Sequence, residues 1–324
     1  MVAVHSTVRG PSLGGCRMWR YADARAAIDD ALRLARAMTY KAACAGLPLG
    51  GGKGVIALAD APPQGSARKD ALRDFAEIIE AVGGRYITAE DVGTSSRDMA
   101  AISETTSHVS GLAHARGGSG DPSPATALGV EAAVLASCER AFGTDSLAGR
   151  SVSVVGLGSV GLRLARLLAR RGAELVVADI DERRRADAER LGARWTTPDS
   201  ALTAQVDVLA PCALGGMLNR DTVPRLQAPV IAGAANNQLA DESIADLLAA
   251  RGVLWAPDFV ANAGGIINIS VELEPTGYDA ARARRRVQGI GDTLRAVYDA
   301  AGGDTTPLAA AMALAQRRLA EPPA

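Results

Sequence analysis

Ser151-Val-Ser-Val-Val-Gly-Leu-Gly-Ser-Val-Gly161 is the stretch that decides the fold of this 324-residue chain. Its first half reads as a short buried strand. Gly156, Gly158 and Gly161 then open a segment whose Val160, Leu164, Leu167 and Leu168 recur at helical spacing. Glu174–Ala178 reads as the next strand, and Asp179 follows its last residue. A strand, a glycine loop, a helix, a strand and an acid in that order predict a dinucleotide site. The glycines let the backbone approach a pyrophosphate, and the helix N-terminus offers N–H groups and a favourable dipole. Ser159 and Val160 complete the loop. Asp179 would accept hydrogen bonds from the adenosine ribose and repel a 2′-phosphate, which favours NAD over NADP. Arg183–Arg185 could receive such a phosphate, but on a helix they read as solvated.

Working outward, Val206–Ala210, Val230–Gly233 and Val253–Trp255 read as further strands, so a parallel sheet with helices on both faces is expected. A helix over Ala125–Phe142 leads into it, after a linker at Gly117-Gly-Ser-Gly-Asp-Pro-Ser-Pro124. Ahead of the linker, helices are expected over Asp23–Thr39, Ser66–Val82 and Ser96–Thr105, and strands over Gly54–Leu58 and Tyr86–Ala89. Ile28, Ala31, Leu32 and Ala35 would form the buried face of the first helix. Leu72, Phe75, Ile79 and Val82 would form that of the second, which Gly83-Gly84 closes. Two α/β domains follow, residues 1–120 and 121–303, with the terminal helices 304–324 packing back on the first.

The net charge of −1 offers no field for nucleic acid or an anionic membrane. Aromatic residues make up only 3% against 48% hydrophobic, so Ala, Leu and Val must build the cores. Cys16, Cys44, Cys138 and Cys212 share no close spacing, and with His5, His108 and His114 they indicate neither a metal site nor a redox pair. Free thiols, no leader pattern and no long apolar run suggest the cytoplasm.

Only three of the 35 basic residues are lysine, and two of them, Lys41 and Lys53, fall in one glycine-rich apolar stretch. Arginine stays charged everywhere, whereas a buried lysine can give up its proton near neutral pH. Asp91, in Thr88-Ala-Glu-Asp91, stands at the end of an apolar strand, where open α/β sheets place functional groups. A carboxylate near two lysines could exchange a proton with an amine.

Gly10-Pro-Ser-Leu-Gly-Gly-Cys-Arg-Met-Trp19, Met38-Thr-Tyr-Lys41, Gly50-Gly-Gly-Lys53, Tyr86–Thr94, Pro122-Ser-Pro-Ala-Thr126, Ala210–Gly216, Asn237-Gln-Leu239 and Asn262-Ala-Gly-Gly265 occur in this order. Together they make the chain resemble the dehydrogenases acting on leucine, valine, phenylalanine and glutamate, closest to the leucine and valine members. The resemblance implies an N-terminal substrate domain with a mixed sheet, a Rossmann-like NAD-binding domain and a cleft between them. It implies a homo-oligomer that deaminates an L-amino acid to its 2-oxo acid and ammonia while reducing NAD. Lys41 matches the lysine that grips the substrate carboxylate. Lys53 matches the catalytic lysine, its proton loosened beside Lys41 and an apolar wall. Asp91 matches the carboxylate that exchanges a proton with the amine. Asn262 and the Gly14-Gly15 backbone would orient the substrate, and Thr126, Cys212, Ala213 and Asn237 would lie along the cofactor.

The implied side-chain pocket is Leu13, Met38, Ala89, Ile266 and Ile269, all apolar or small. Leu13 stands where glutamate-specific members carry a lysine, and an unpaired buried carboxylate would cost several kcal/mol. Ile266 and Ile269 narrow the cavity against phenylalanine, and a methylene of difference leaves only a lean to valine over leucine. The alternatives are a dehydrogenase of aromatic or unusual amino acids and a non-catalytic NAD-binding amino acid sensor. Family members carry more residues ahead of the segment matching Val2-Ala-Val-His5, so either the start is wrongly called or the first sheet lacks an edge element.

Overall fold

The structure, a computed structural model, describes residues 1–321. Its contacts divide the chain into two units. The first comprises Met1–Pro122, Ile266–Ala283 and the chain from Leu314; the second comprises Ser123–Gly265 and Arg284–Ala313.

The first unit is built on strands β1 (Val2–Ser6), β2 (Ser12–Arg20), β3 (Gly50–Leu58) and β4 (Tyr86–Glu90), with helices α1 (Ala24–Cys44), α2 (Gly65–Ala81) and α3 (Ser96–Ile102). The sheet order is β1-β3-β2-β4. β1 runs antiparallel to β3, and β2 runs parallel to both β3 and β4, so the sheet is mixed as expected. β1 supplies an edge of this sheet, and the Met1 amino group donates to the Val55 carbonyl at 2.8 Å.

Strand register sets the two faces. Leu13 pairs with Gly51 and Ile87, Gly15 with Ala89, and Arg17 with Val55. Side chains alternate along a strand, so Leu13, Gly15, Arg17, Lys53, Val55 and Ala89 share one face. Ala27 and Ala31 of α1 pack there against Val55. The opposite face carries Cys16, Met18 and Tyr86 into a core with Leu72, Phe75, Ile79, Met99 and Ile102.

α1 begins at Asp23, whose carboxylate accepts the Ala26 N–H at 2.8 Å. Its buried face is Ala27, Ala31, Ala35, Thr39 and Ala42. This corrects the sequence reading, which also placed Ile28 and Leu32 inward; they are 44% and 56% exposed. Hydrophobicity alone selects Ile and Leu, but the close seat of the helix selects small residues. A Cβ on Gly51 would come within 2.1 Å of the Thr39 nitrogen, so helix and strand backbones nearly touch. α1 also runs five residues beyond the expected end, which puts Lys41 in its last turn.

β2 lies where the sequence reading marks no strand, and paired glycines ordinarily weaken one. Here close approach demands them. A Cβ on Gly14 would meet the Gly52 carbonyl oxygen at 1.8 Å, and one on Gly15 would meet the Asp91 Cβ at 2.6 Å. α2 buries Leu72, Phe75 and Ile79 as its spacing predicts and Ala76 besides, with Val82 only partly covered, and Gly83 and Gly84 end it at φ 64° and 76°.

The second unit opens with α4 (Ser123–Phe142) and alternates β5 (Ser151–Val155), α5 (Gly161–Arg170), β6 (Glu174–Ala178), α6 (Arg185–Arg190), β7 (Arg194–Trp195), α7 (Pro198–Leu202), β8 (Val208–Pro211), β9 (Val230–Ile231), α8 (Ser243–Ala250), β10 (Leu254–Trp255) and α9 (Asp258–Ala261). Its sheet order is β10-β9-β8-β5-β6-β7, and every pair is parallel. The chain leaves β5 in one direction and returns to β8 on its other side, which makes the β5/β8 boundary the switch point where such sheets bind ligands. β5 and β6 have the bounds the sequence predicts. β8 to β10 are shorter or shifted, and the two-residue β7 is additional.

Helices α10 (Gly264–Glu272), α11 (Ala280–Gln288), α12 (Ile290–Ala300) and α13 (Pro307–Ala320) complete the chain. Residues 266–283 join the first unit, where the sequence reading had counted them with the second domain. Glu272 accepts the N–H groups of Gly111 and Ser119 at 3.0 and 2.9 Å, tying α10 to the loop after α3.

Candidate active site

In the first unit, Lys53 on β3 lies on the face that α1 covers and is only 5% exposed. Its Nζ donates to Asp91 Oδ2 at 2.6 Å. Asp91 follows β4 and passes directly over Gly15, as the forbidden Cβ there shows. Tyr86, buried on the opposite face, donates its hydroxyl to the Gly14 carbonyl at 2.6 Å and so fixes the Gly14-Gly15 backbone. Asp91 is not a helix cap: Ser95 caps α3 in a capping box with Asp98.

Burial is the main cause that lowers the Lys53 pKa, because water no longer solvates the ammonium; Asp91 opposes the shift and Arg17 adds to it. Arg17 is a cation acting on Lys53 that the sequence reading does not name. Burial pushes the Asp91 carboxyl upward, but Lys53, Arg17 and the Val92 N–H outweigh it and hold the group below its ordinary value. Lys53 and Asp91 thus form a close ion pair in which the lysine is buried and the carboxylate keeps partial access to solvent.

Sequence reasoning passed over Arg17. Its Nε donates to Asp91 Oδ2 at 3.1 Å, and its Nη1 to Asp30 Oδ2 at 3.0 Å. The signal was available, since Leu13, Gly15 and Arg17 alternate within a quoted motif, but only once that motif is known to be a strand.

The remaining substrate candidates in this unit are Leu13, Ala89, Ile266 and Ile269, all buried, and Met38 and Lys41, partly buried. Leu13 and Ala89 share the face of Lys53. Met38 and Lys41 stand one turn apart at the end of α1, and Ile266 and Ile269 one turn apart on α10.

The second unit assembles the glycine loop. Gly156 adopts φ 103° and donates to the Ala178 carbonyl at 2.8 Å. A Cβ on Gly161 would lie 1.9 Å from the Gly156 oxygen, so α5 can start there only with glycine. A Cβ on Gly158 would meet nothing within 4 Å, which leaves open space over the loop. The Asp179 carboxylate accepts the Leu157 N–H at 2.6 Å and the Asp181 N–H at 2.8 Å, so it sits against the loop. Arg183 is paired with Asp181 at 2.8 and 2.9 Å.

Cys212 and Ala213 close the other side. The Cys212 N–H donates to Val155 at 2.8 Å, and a Cβ on Gly156 would meet the Ala213 nitrogen at 2.8 Å. Burial pushes the Cys212 thiol up to about 12, so it is no nucleophile at neutral pH. Asn237 is the one non-glycine residue with positive φ (51°) among the described residues, and its carbonyl accepts the Gly216 N–H at 2.8 Å. Gln238 locks that turn, donating to the Gly233 and Ala235 carbonyls and accepting from Trp255 Nε1. Asn262 donates through Nδ2 to the Ala234 carbonyl at 3.1 Å and to Asn236 Oδ1 at 3.0 Å. Its Oδ1 is the one buried side-chain polar atom without a partner among the described residues. Thr126, on α4, lies where a Cβ on Gly264 would meet its Cα at 3.0 Å. An open glycine cradle with a carboxylate against it fits a dinucleotide with free ribose hydroxyls.

Comparison with known proteins agrees with both halves. Residues 1–108 match the family model described as Glu/Leu/Phe/Val dehydrogenase, dimerisation domain, and residues 177–321 match that of Glutamate/Leucine/Phenylalanine/Valine dehydrogenase. The chain is 47% identical to leucine dehydrogenase of Bacillus subtilis (strain 168) over 99% of its length and 86% of that protein's. It is 41% identical to valine dehydrogenase of Streptomyces virginiae, covering 99% of this chain and 90% of the other. The crystal structure of L-tryptophan dehydrogenase from Nostoc punctiforme superposes with a TM-score of 0.85 at 40% identity, over 98% of this chain and 91% of that one. By these matches the chain belongs to the glutamate/leucine/phenylalanine/valine dehydrogenase family of oxidoreductases.

Proposed function

We propose that this protein catalyses the reversible, NAD-dependent oxidative deamination of a branched-chain L-amino acid, valine or leucine, to its 2-oxo acid and ammonia. The observation that carries the reading is the pairing of buried Lys53 with Asp91 at 2.6 Å, on the sheet face that also bears Leu13, Gly15 and Ala89. NAD, when bound, accepts a hydride from the substrate α-carbon. Gly156, Gly158, Ser159, Val160 and Gly161 would cradle its phosphates, with Asp179 on the ribose and Thr126, Cys212, Ala213 and Asn237 along its length.

Lys41 supplies a positive charge for the substrate carboxylate. The Asn262 Oδ1, lacking a partner, offers an acceptor for the amino group. Asp91, held ionised, removes a proton from the substrate ammonium, so the nitrogen lone pair can form an iminium as the hydride leaves. Lys53 in its neutral form takes a proton from the water that adds to the iminium carbon. The carbinolamine collapses to the 2-oxo acid as its hydroxyl proton is relayed through the Asp91 carboxyl to the departing ammonia. The depressed Lys53 pKa matters here because a lysine at its ordinary value would seldom be neutral.

Leu13, Met38, Ala89, Ile266 and Ile269 would bound the substrate side chain. Ile266 and Ile269 favour the shorter branched chains, with a lean to valine. An aromatic substrate is the second reading, favoured by the likeness to the tryptophan enzyme. We also propose a homo-oligomer, supported by the first matched model's description and by the exposed Val8, Trp19, Ile28 and Leu32 of the first unit. A cytoplasmic setting is proposed on the free cysteines; among the described residues no helix is long and apolar enough to cross a membrane.

The test is NADH oxidation with ammonium and a panel of 2-oxoisovalerate, 2-oxoisocaproate, phenylpyruvate, indole-3-pyruvate and 2-oxoglutarate. Fast ammonium-dependent turnover of the first two is expected. Preference for the aromatic acids would move the assignment to the second reading, and turnover of none would overturn it.

A further inference from the structure

Two cations meet a single oxygen of Asp91, and the proposed reaction accounts for only one of them. Lys53 Nζ lies 2.6 Å from Oδ2, and Arg17 Nε lies 3.1 Å from the same atom. Arg17 is 22% exposed at its side chain, so it is not a loose surface group. Its other arm is held as well. Nη1 donates to Asp30 Oδ2 at 3.0 Å, an oxygen that also accepts the Tyr21 hydroxyl at 2.7 Å, while Arg33 donates to Asp30 Oδ1 at 2.7 Å. A chain of contacts thus runs from α1, through Asp30 and Arg17, to the carboxylate above Gly15.

We propose that Arg17 is a positioning residue of this site: it holds the Asp91 carboxylate over Gly15, ionised and ready to take the substrate proton, in a geometry fixed from α1 by Asp30. The inference rests on the functional reading given above. Its logic is a charge count. In the reacting form Lys53 is neutral, and at that moment Asp91 loses the ammonium that pairs it. A buried carboxylate without a counterion would take a proton and cease to act on the amine. Arginine cannot titrate in this range, so its charge stays when the lysine's leaves. The planar fork also lets one side chain bond two carboxylates in fixed directions, which a lysine cannot do. Gly15 completes the arrangement, since any Cβ there would strike Asp91 at 2.6 Å.

The charged and titratable groups acting on the pair include Lys53 from β3, Arg17 and Cys16 from β2, Tyr86 from β4, and Asp30, Arg33 and Tyr21 from α1 and its approach. The Met1 amino group and Asp98 of α3 act on Cys16. Arg17 lowers the affinity of both Lys53 and Asp91 for protons. Its removal must therefore raise both, and the pH at which Lys53 becomes neutral moves up.

The experiment measures kcat and kcat/KM for oxidative deamination of L-valine and L-leucine against pH, with NADH affinity by fluorescence, for the wild type, Arg17→Gln, Arg17→Lys and Asp30→Asn. Arg17→Gln is expected to lose about 10²-fold in kcat/KM, to keep its NADH affinity, and to move the rising limb of the profile to higher pH. Arg17→Lys should bring the limb back towards the wild-type position while kcat stays low, because charge is restored without the bridge. Asp30→Asn should lower kcat less than Arg17→Gln does. A folded Arg17→Gln with wild-type kcat/KM and an unmoved limb would overturn the assignment. Should Arg17→Gln fail to fold, Asp30→Asn decides: lowered kcat supports the proposal, and wild-type kinetics overturn it. A wild type with no amino acid-dependent turnover would instead remove the functional reading, and this assignment with it.

Discussion

In the proposed reaction the first unit works with side chains and the second with backbone. Around Lys53 every important group is charged or shaped around a charge, and the strand register of three separate segments brings them to one face. Around Gly156 the proposed cofactor site is a glycine loop with no Cβ at Gly158 and one carboxylate that itself bonds the loop. The glycines differ accordingly. Gly14, Gly15 and Gly51 make room for protein atoms, whereas Gly158 faces open space. A backbone site can be damaged by adding atoms, and a side-chain site by changing them without altering their volume.

That contrast yields a reciprocal pair of variants with the largest expected effects. Asp91→Asn keeps the shape and removes the charge, so turnover should fall by about 10³-fold with NADH affinity within about twofold of wild type. Gly161→Val should do the reverse. Its Cβ would enter the Gly156 oxygen at 1.9 Å, so NADH binding should be lost together with a destabilisation of about 1–3 kcal/mol in urea unfolding. If either variant damaged both functions equally, the division of labour would be wrong.

A smaller effect sharpens the packing side of the comparison. Ala31 is buried under α1 and Leu32 beside it is 56% exposed. Ala31→Leu should cost about 1–3 kcal/mol by overpacking. Leu32→Ser should stay within about 0.5 kcal/mol as long as that face remains open to water. Urea melts at dilute and at high protein concentration check this, because a concentration-dependent loss in Leu32→Ser would mark the face as a subunit contact.

The two units were unequally legible in the sequence for the same reason. The strand, loop, helix and strand from Ser151 to Ala178 are consecutive, so local pattern suffices, and β5 and β6 emerge with the expected bounds. β2 hides because Gly14 and Gly15 argue against a strand until their tertiary neighbours are known. With β2 unread, nothing in the spacing of Arg17, Lys53 and Asp91 reveals that they meet. Unusual lysine usage and a family resemblance single out Lys53, and a strand end and the same resemblance single out Asp91; Arg17 lies within one of the family motifs, but as one arginine among many it draws no role from the sequence. Ile28 and Leu32 misled for a related reason. A helix seated almost against a glycine strand buries its small residues, and periodicity scored by hydrophobicity prefers the large ones. The place of 266–283 with the first unit also depends on long-range bonds, such as Glu272 to Gly111, that no local pattern announces.

The central claim is that a neutralisable lysine in the first unit performs the proton chemistry while the second unit holds the cofactor on its own. Lys53→Ala tests it most directly, with NADH affinity and ammonium-dependent turnover of 2-oxoisovalerate measured on the same folded preparation. The account predicts turnover reduced by about 10³-fold or more and NADH bound as tightly as by the wild type. Appreciable turnover in this variant, or loss of NADH binding alongside activity, would contradict it.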